Sequence, residues 1–339
     1  MRKLFDNDKK KDILFKFFRE YGLYGYELLQ LMPLFDEETT KKYGRPNSLI
    51  VFNSDENKYS EINQMKSKIF QFMSLIIQAS SLRKKNYDDE DKNIIEDAEL
   101  IEIINKLIKL IVDSFQDILS SKEKFYFLRK YKDIDEEEDS FNALLFQICV
   151  FLNRCLVREP IKSQFSEHMR QFLLNIIFPL IITISEEEMN FLEMEVEDYH
   201  GYIESITYDF KIKDFRTSAC FLIYKISDKY EDMTNFILSF ILEMLNYIVN
   251  EGKIQSEVKE YNVYLKNIKD ALINQFSEEI KLDFTLLIIL IMQNKLKNNP
   301  FFNNRLRDIL ISNQDKLHLI KSPIIKYKLC KIYNLFLKC

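Results

Sequence analysis

Carboxylates are the residues here whose spacing first invites a chemical reading. Asp133, Asp135, Glu136, Glu137, Glu138 and Asp139 form one acidic run, and Glu186, Glu187 and Glu188 form another after Ser185. Paired carboxylates can exchange protons or hold a divalent cation. The same spacing also has a structural reading. Ser185 with Glu188 fits the S-x-x-E capping box, and Asp135 with Glu138 fits its Asp variant. There the first side chain accepts the N3 amide proton while the acid reaches back, and early negative charge opposes the positive helix end. Capping is the first reading of both runs. A surface that meets a basic protein is the second, and metal or acid–base work is the third. Asp135, Glu136, Glu137, Glu138, Asp139, Glu186, Glu187 and Glu188 are therefore the candidate protein-binding acidic turns.

Other chemistry-bearing residues are scattered. His168, His200 and His318 stand far apart, outside any HxxxH, HExxH or Cys/His cluster. Cys149, Cys155, Cys220, Cys330 and Cys339 show no CxxC spacing, which reads as buried free thiols. No G-x-S-x-G, G-x-G-x-x-G or G-x-x-x-x-G-K occurs, so no nucleophile elbow or phosphate loop is encoded. No catalytic residue, metal site or cofactor is expected. Lys9, Lys10 and Lys11, and Arg83, Lys84 and Lys85, sit beside acidic residues and read as solvated helix ends or loops. With a net charge of −5, the chain as a whole lacks the basic balance of a nucleic-acid binder. A mildly acidic surface suits basic protein partners.

The elements that carry these residues are helices. Phe165, Met169, Phe172, Leu173, Ile176, Ile177 and Leu180 recur at helical spacing. So do Phe236, Ile237, Phe240, Ile241, Met244, Leu245 and Ile248, and also Ile103, Ile104, Leu107, Leu110, Ile111 and Phe115. No stretch alternates with period two. With only 5 Gly and 6 Pro in 339 residues, turn-rich β architectures are disfavoured. Helices are expected over 10–32, 61–83, 94–120, 137–156, 165–184, 186–196, 215–229, 232–250, 257–276, 279–296, 301–313 and 323–338. A polar loop is expected at about 34–60, and a second polar stretch at 84–93. The longest uninterrupted apolar run, Leu286 to Met292, is short for a membrane span of about 20 residues, and the N-terminus is too charged for a signal peptide. A soluble protein without membrane insertion is expected.

Paired helices of roughly 40–47 residues match the HEAT or armadillo repeat size. Such pairs cannot bury their apolar faces alone and stack into a rod. The expected fold is thus all-α: a single HEAT/armadillo-like α-solenoid of stacked antiparallel helix pairs over residues 1–339. A globular helical bundle is the competing arrangement.

The segment from Glu159 to Tyr230 carries a family resemblance. It contains REPIKSQF, NIIFPLI, EEEMNFLEMEVEDYHGYIE and KDFRTSACFLIYKISDKYED. Ile177 with Pro179, the acids Glu186 to Glu188, the pair Tyr202 and Ile203, and then Asp214, Arg216, Ala219 and Cys220 follow the order of a characteristic segment of the importin-β superfamily. The segment most resembles the CAS-type exportin that returns importin-α to the cytoplasm. MKSKIFQFMSLI at Met65 to Ile76 and RDILISNQDKLHLIKSPIIKY ending at Tyr327 resemble flanking helices of that family. Tyr199, Tyr202 and Ile203 are also similar to the large importins that carry histones and ribosomal proteins. The chain departs from the pattern where the family has two arginines after Tyr-Ile, since Glu204 and Ser205 stand there, and in keeping only Arg216 of an arginine run. It covers only the middle of such a receptor. The resemblance implies a soluble receptor that shuttles between nucleus and cytoplasm. Its implied partners are Ran in the GTP form, importin-α or another protein cargo, and nucleoporins. A HEAT scaffold outside transport and an unrecognised helical enzyme are the other readings.

Overall fold

The computed structural model describes residues 8–31, 56–80, 98–119, 140–166, 168–182, 215–250 and 277–337. Among these residues the chain is helical, with no β-strand. Where the sequence reads as one continuous array, the described helices gather into two compact units.

The first unit holds α1 (Asp8–Leu31), α2 (Glu56–Ser80), α3 (Ala98–Leu119), α4 (Ser140–Cys155) and α5 (Ile161–Ser166). α2 and α4 form its main packing pair. Phe70 and Phe151 meet there with ring centroids 5.5 Å apart, both fully buried. Burying each such ring contributes about 1.5–3 kcal/mol. α1 approaches α2 closely because Gly22 and Gly25, three residues apart, present no side chain. A Cβ on Gly25 would lie 2.9 Å from Ile69 Cγ2. α3 buries the expected stripe of Ile103, Ile104, Leu107, Ile111 and Phe115. It is tied to α1 by Arg19 and Glu99 at 2.9 Å.

The expected polar loop at 34–60 ends earlier than the sequence predicts, since α2 already begins at Glu56. Asn, Asp and Ser mark that stretch as polar, but Glu56, Lys58 and Glu61 propagate a helix readily. The remainder of the loop and the stretch at 84–93 lie outside the described residues, as do the expected helices at 186–196 and 257–276.

The second unit begins with the rod α6. It runs from Met169–Phe172 through a π-helical turn, Leu173–Ile177, into Phe178–Ile182. Proline inside a helix lacks an N–H and crowds the preceding turn. The π turn ends two residues before Pro179, and Phe178 N–H bonds to Leu173 O across it. Then come α7 (Phe215–Lys229), α8 (Glu231–Val249), α9 (Glu278–Ile291), α10 (Gln293–Lys297), α11 (Pro300–Ser312), α12 (Gln314–His318) and α13 (Pro323–Phe336). Tyr230 alone joins α7 to α8, in an extended conformation that stops one helix and starts the next. The single helix expected over 279–296 is divided at Met292 into α9 and α10, and the one expected over 165–184 is divided around His168 into α5 and α6.

α9 is the centre of this unit. Every residue from Ile280 to Leu290 is buried, and α7, α8, α10, α13 and the end of α6 pack on it. Phe178 of α6 stacks on Phe240 of α8 at 4.8 Å and meets Phe284 of α9 edge-on at 5.7 Å. A helix buried on every side lies inside a core, and its few polar side chains, Lys281, Asp283 and Thr285, each have a partner there. α8, at 19 residues, is long and apolar enough to cross a membrane by length and composition, and 61% of it is buried inside the protein. Its burial reads as that of a core helix.

Candidate functional site: a buried charge cluster and exposed helix faces

The acidic turns Asp135, Glu136, Glu137, Glu138, Asp139 and Glu186, Glu187, Glu188 lie outside the described residues, together with Ser185 and His200. Of the other histidines, His168 and His318 are exposed. Cys149, Cys155 and Cys220 are buried free thiols as the sequence implies. Cys330 is a correction, because α13 turns it to solvent. Its neighbours Lys326, Tyr327, Lys331 and Asn334 share the solvent side, while Ile325, Lys328, Leu329 and Ile332 face inward.

Of the charged groups that the fold does bring together, Arg216 was named in the sequence only as part of the family resemblance, and Asp283 and Lys328 were not singled out. Asp283 sits in the middle of α9, 1% exposed. Its Oδ2 accepts a 2.7 Å hydrogen bond from Arg216 Nη2 of α7, and its Oδ1 accepts one from Lys328 Nζ of α13. Arg216 is 4% exposed and Lys328 is 0% exposed. Arg216 also donates through Nε to the Ile181 carbonyl at 2.7 Å, near the end of α6 where helical carbonyls lack internal partners. One carboxylate thus joins two cations from helices far apart in sequence.

The electrostatics follow from that ratio. Burial pushes the Asp283 carboxyl up, but the charges of Lys328 and Arg216, with their hydrogen bonds, outweigh it and hold the group below its ordinary value. For Lys328, burial lowers the amine most. Asp283 pulls it back up, and the Arg216 charge lowers it further. The net direction is down, as expected when two cations share one anion. The amine is fully enclosed, so it has no exposed surface from which to meet a substrate. The cluster can hold α7, α9 and α13 in one register. A signal for it does stand in the sequence, since Asp283 and Lys328 each interrupt an otherwise apolar helical stripe.

Two further buried charges are matched. Glu243 of α8 accepts from Arg305 of α11, and Lys281 of α9 pairs with Glu278 at 2.6 Å. Among the described residues no three His, Cys, Asp or Glu side chains are placed to hold a metal ion. The crevice lined by Leu238, Ile241, Leu242, Ile288 and Met292 is apolar and has no room for a water molecule.

What the helices offer outward is partly apolar. In the first unit α1 exposes Tyr21, Leu23, Tyr24 and Leu28. In the second, Tyr224, Phe301, Ile311 and Leu319 are exposed. Tyr224 stacks with Phe221, and Lys225 Nζ lies 5.1 Å from the Phe221 ring centroid. Aromatic side chains with a nearby cation are the kind of group that anchors protein interfaces.

No protein-family model, no curated protein and no solved structure matches this chain.

Proposed function

We propose that the chain is a helical protein-binding scaffold of the HEAT or armadillo kind, and that it serves as a nuclear transport receptor of the importin-β type or as a segment of one. The supporting observation is the succession of helices, joined within the described stretches 215–250 and 277–337 by short linkers such as Tyr230 between α7 and α8, whose outer faces keep Tyr21, Tyr24, Tyr224 and Phe301 in water. Helix pairs of this kind present broad surfaces to other proteins.

The resemblance adds the specific version. Ile177, Pro179, Arg216, Ala219 and Cys220 carry part of it, and all five are buried. Such positions govern helix packing, so a shared pattern there speaks for a shared interior and leaves the partner-contacting residues to exposed faces. The acidic turns Asp135 to Asp139 and Glu186 to Glu188 remain the proposed contacts for a basic partner. In this reading Ran·GTP and cargo, importin-α among the candidates, each favour the same curvature of a spring-like array, which makes their effects reciprocal. Nucleoporins would meet exposed apolar side chains during passage between nucleus and cytoplasm.

A second reading is favoured by α9. Its burial from Ile280 to Leu290 is what a compact bundle requires, and a flexing array has no need of it. That reading makes the chain a fixed scaffold whose partner binding ignores nucleotide state.

The deciding experiment measures binding of the purified chain to importin-α, with and without Ran loaded with a non-hydrolysable GTP analogue. The transport reading expects binding strengthened by Ran·GTP. Binding unaffected by Ran, or none at all, overturns it and leaves the scaffold.

A further inference from the structure

In the first unit each helix runs parallel to the next but one. Arg19 of α1 pairs with Glu99 of α3, and further along the same two helices Lys106 lies over the Tyr26 ring at 6.0 Å. Ser67 and Gln78 of α2 meet Ala143 and Arg154 of α4 in the same order. Gly22 lies against Met73 and Gly25 against Ile69, which sets α1 antiparallel to α2. The α1–α2 pair thus stacks on α3 and α4, and its opposite side is an end face.

That end face is apolar along its middle. On α1, Tyr21, Tyr24 and Leu28 share one face at spacing i, i+3, i+7, and on α2, Met65, Phe72 and Leu75 share one at i, i+7, i+10. Tyr21 meets Phe72 with ring centroids 4.2 Å apart, which joins the two stripes into one surface. Tyr24 is 65% exposed, and Tyr21, Leu28, Met65 and Leu75 are between 37% and 42% exposed. A terminal helix pair that ends in water has a polar outer face. The rims of this one differ in sign. Glu20 and Glu27 lie on the flank of α1 away from α2, and Lys68 lies on the outward face of α2. All three are exposed, and no ion pair involves any of them among the described residues. The antiparallel register puts Lys68 about level with Glu27. Lys16, exposed on the same flank, stands about 16 Å further along α1.

We propose that this end face binds a second copy of the chain about a two-fold axis parallel to α1 and α2. Such an axis keeps every residue at its own height and exchanges left with right. α1 of each copy then covers α2 of the other. The apolar stripes meet in the middle, and Glu27 of each copy comes opposite Lys68 of its partner at the rim. Every helix gains a second antiparallel neighbour, as in an antiparallel four-helix bundle. A two-fold axis across the helices would set α1 on α1 and acid against acid, so charge selects the first arrangement. An apolar centre with a charged rim is the anatomy of a protein interface. A nucleic acid or an anionic membrane would be repelled by Glu20 and Glu27. The inference goes beyond the proposed function and holds for its transport and scaffold readings alike.

The test is sedimentation equilibrium of the full chain, which should show twice the 40.8 kDa chain mass in the micromolar range. Lys68→Glu, and separately Glu20→Lys/Glu27→Lys, should each weaken self-association about tenfold, the size expected when rim charges are inverted. An equimolar mixture of the two variants should recover it, because each then offers the other opposite charge at both rims. Tyr24→Ser should weaken association severalfold, and Lys326→Glu in the second unit should leave it unchanged. All the substituted side chains reach solvent, so thermal melts should superimpose. A monomer throughout the micromolar range overturns the proposal. So does a dimer that none of the variants weakens, which places the contact elsewhere, or a mixture that fails to recover. If the chain dimerises as expected and importin-α does not bind, only the transport reading falls. If importin-α binds and the chain stays monomeric, only this interface falls.

Discussion

Lys328 reaches Asp283 across 45 positions of sequence, and the two side chains meet with 0% and 1% exposure to solvent. Arg216 completes the cluster from a third helix. Breaking a buried ion pair by removing one partner strands the other in a medium that cannot solvate it.

Asp283→Ala should therefore be the most damaging change in the cluster. It leaves two buried cations facing each other and should cost about 3–5 kcal/mol in urea unfolding. Lys328→Met keeps the Arg216–Asp283 pair and refills most of the aliphatic volume, so it should cost much less. Equal losses in the two variants would contradict the reading of Lys328 as the surplus cation.

Acid should unfold the second unit through the same residue. The folded Asp283 carboxyl titrates below its ordinary value of 3.8, so the unfolded chain takes up the proton first as pH falls. The stability this group contributes is present above pH 3.8 and is lost as pH drops through the folded value. The slope of unfolding free energy against pH in that window should be shallower in Asp283→Asn than in the wild type. Parallel slopes would mean that other carboxylates carry the acid limb.

The two glycines of α1 should respond in opposite ways. Alanine in a helix is favoured over glycine by about 1 kcal/mol. At Gly22 the new methyl would lie 3.1 Å from Met73 Sδ, and a flexible thioether can yield, so Gly22→Ala should be neutral or stabilising. At Gly25 the methyl would lie 2.9 Å from the branched, buried Ile69, so Gly25→Ala should destabilise by about 1–3 kcal/mol. Adding Ile69→Ala should recover part of that loss. Strict additivity in thermal melts would show that the contact is not the cause.

Thiol reactivity should separate the cysteines. In a Cys339→Ser background, Cys330 should react with a thiol reagent in the native state, while Cys149, Cys155 and Cys220 wait for unfolding. Burial pushes the Cys155 thiol well up, with Arg158 opposing only partly, which further suppresses the reactive thiolate. More than one fast-reacting thiol in mass spectrometry would contradict the burial pattern.

Much of the helical framework was legible before any packing was known. The stripe of Phe236, Ile237, Phe240, Ile241, Met244 and Leu245 is buried along α8, and α7 spans residues 215–229 as expected. Less legible were the interruptions. Apolar periodicity runs straight through Met292 and through Leu173–Ile177, yet the helix breaks at the first and widens to a π turn at the second. Period-counting sees which face is apolar but not where a ladder of backbone bonds yields to Pro179 or to a neighbouring helix. Cys330 was misplaced for a related reason. Cysteine type favours burial, but on α13 the inward positions are taken by Ile325, Lys328, Leu329 and Ile332.

The candidate site divides in the same way. Acidic turns are visible as runs of letters. By itself the sequence determined the all-helical character of the described chain, because helix formation rests on residues three and four apart. Tertiary structure alone decided that Arg216, Asp283 and Lys328 become one buried cluster and that Tyr24 of α1 and Leu75 of α2 remain in water on one end face. Those outcomes depend on which helix faces meet, across 45 and 67 positions in the cluster. No local spacing encodes such a meeting. It follows from the packing that buries most apolar area while leaving few charges without a partner.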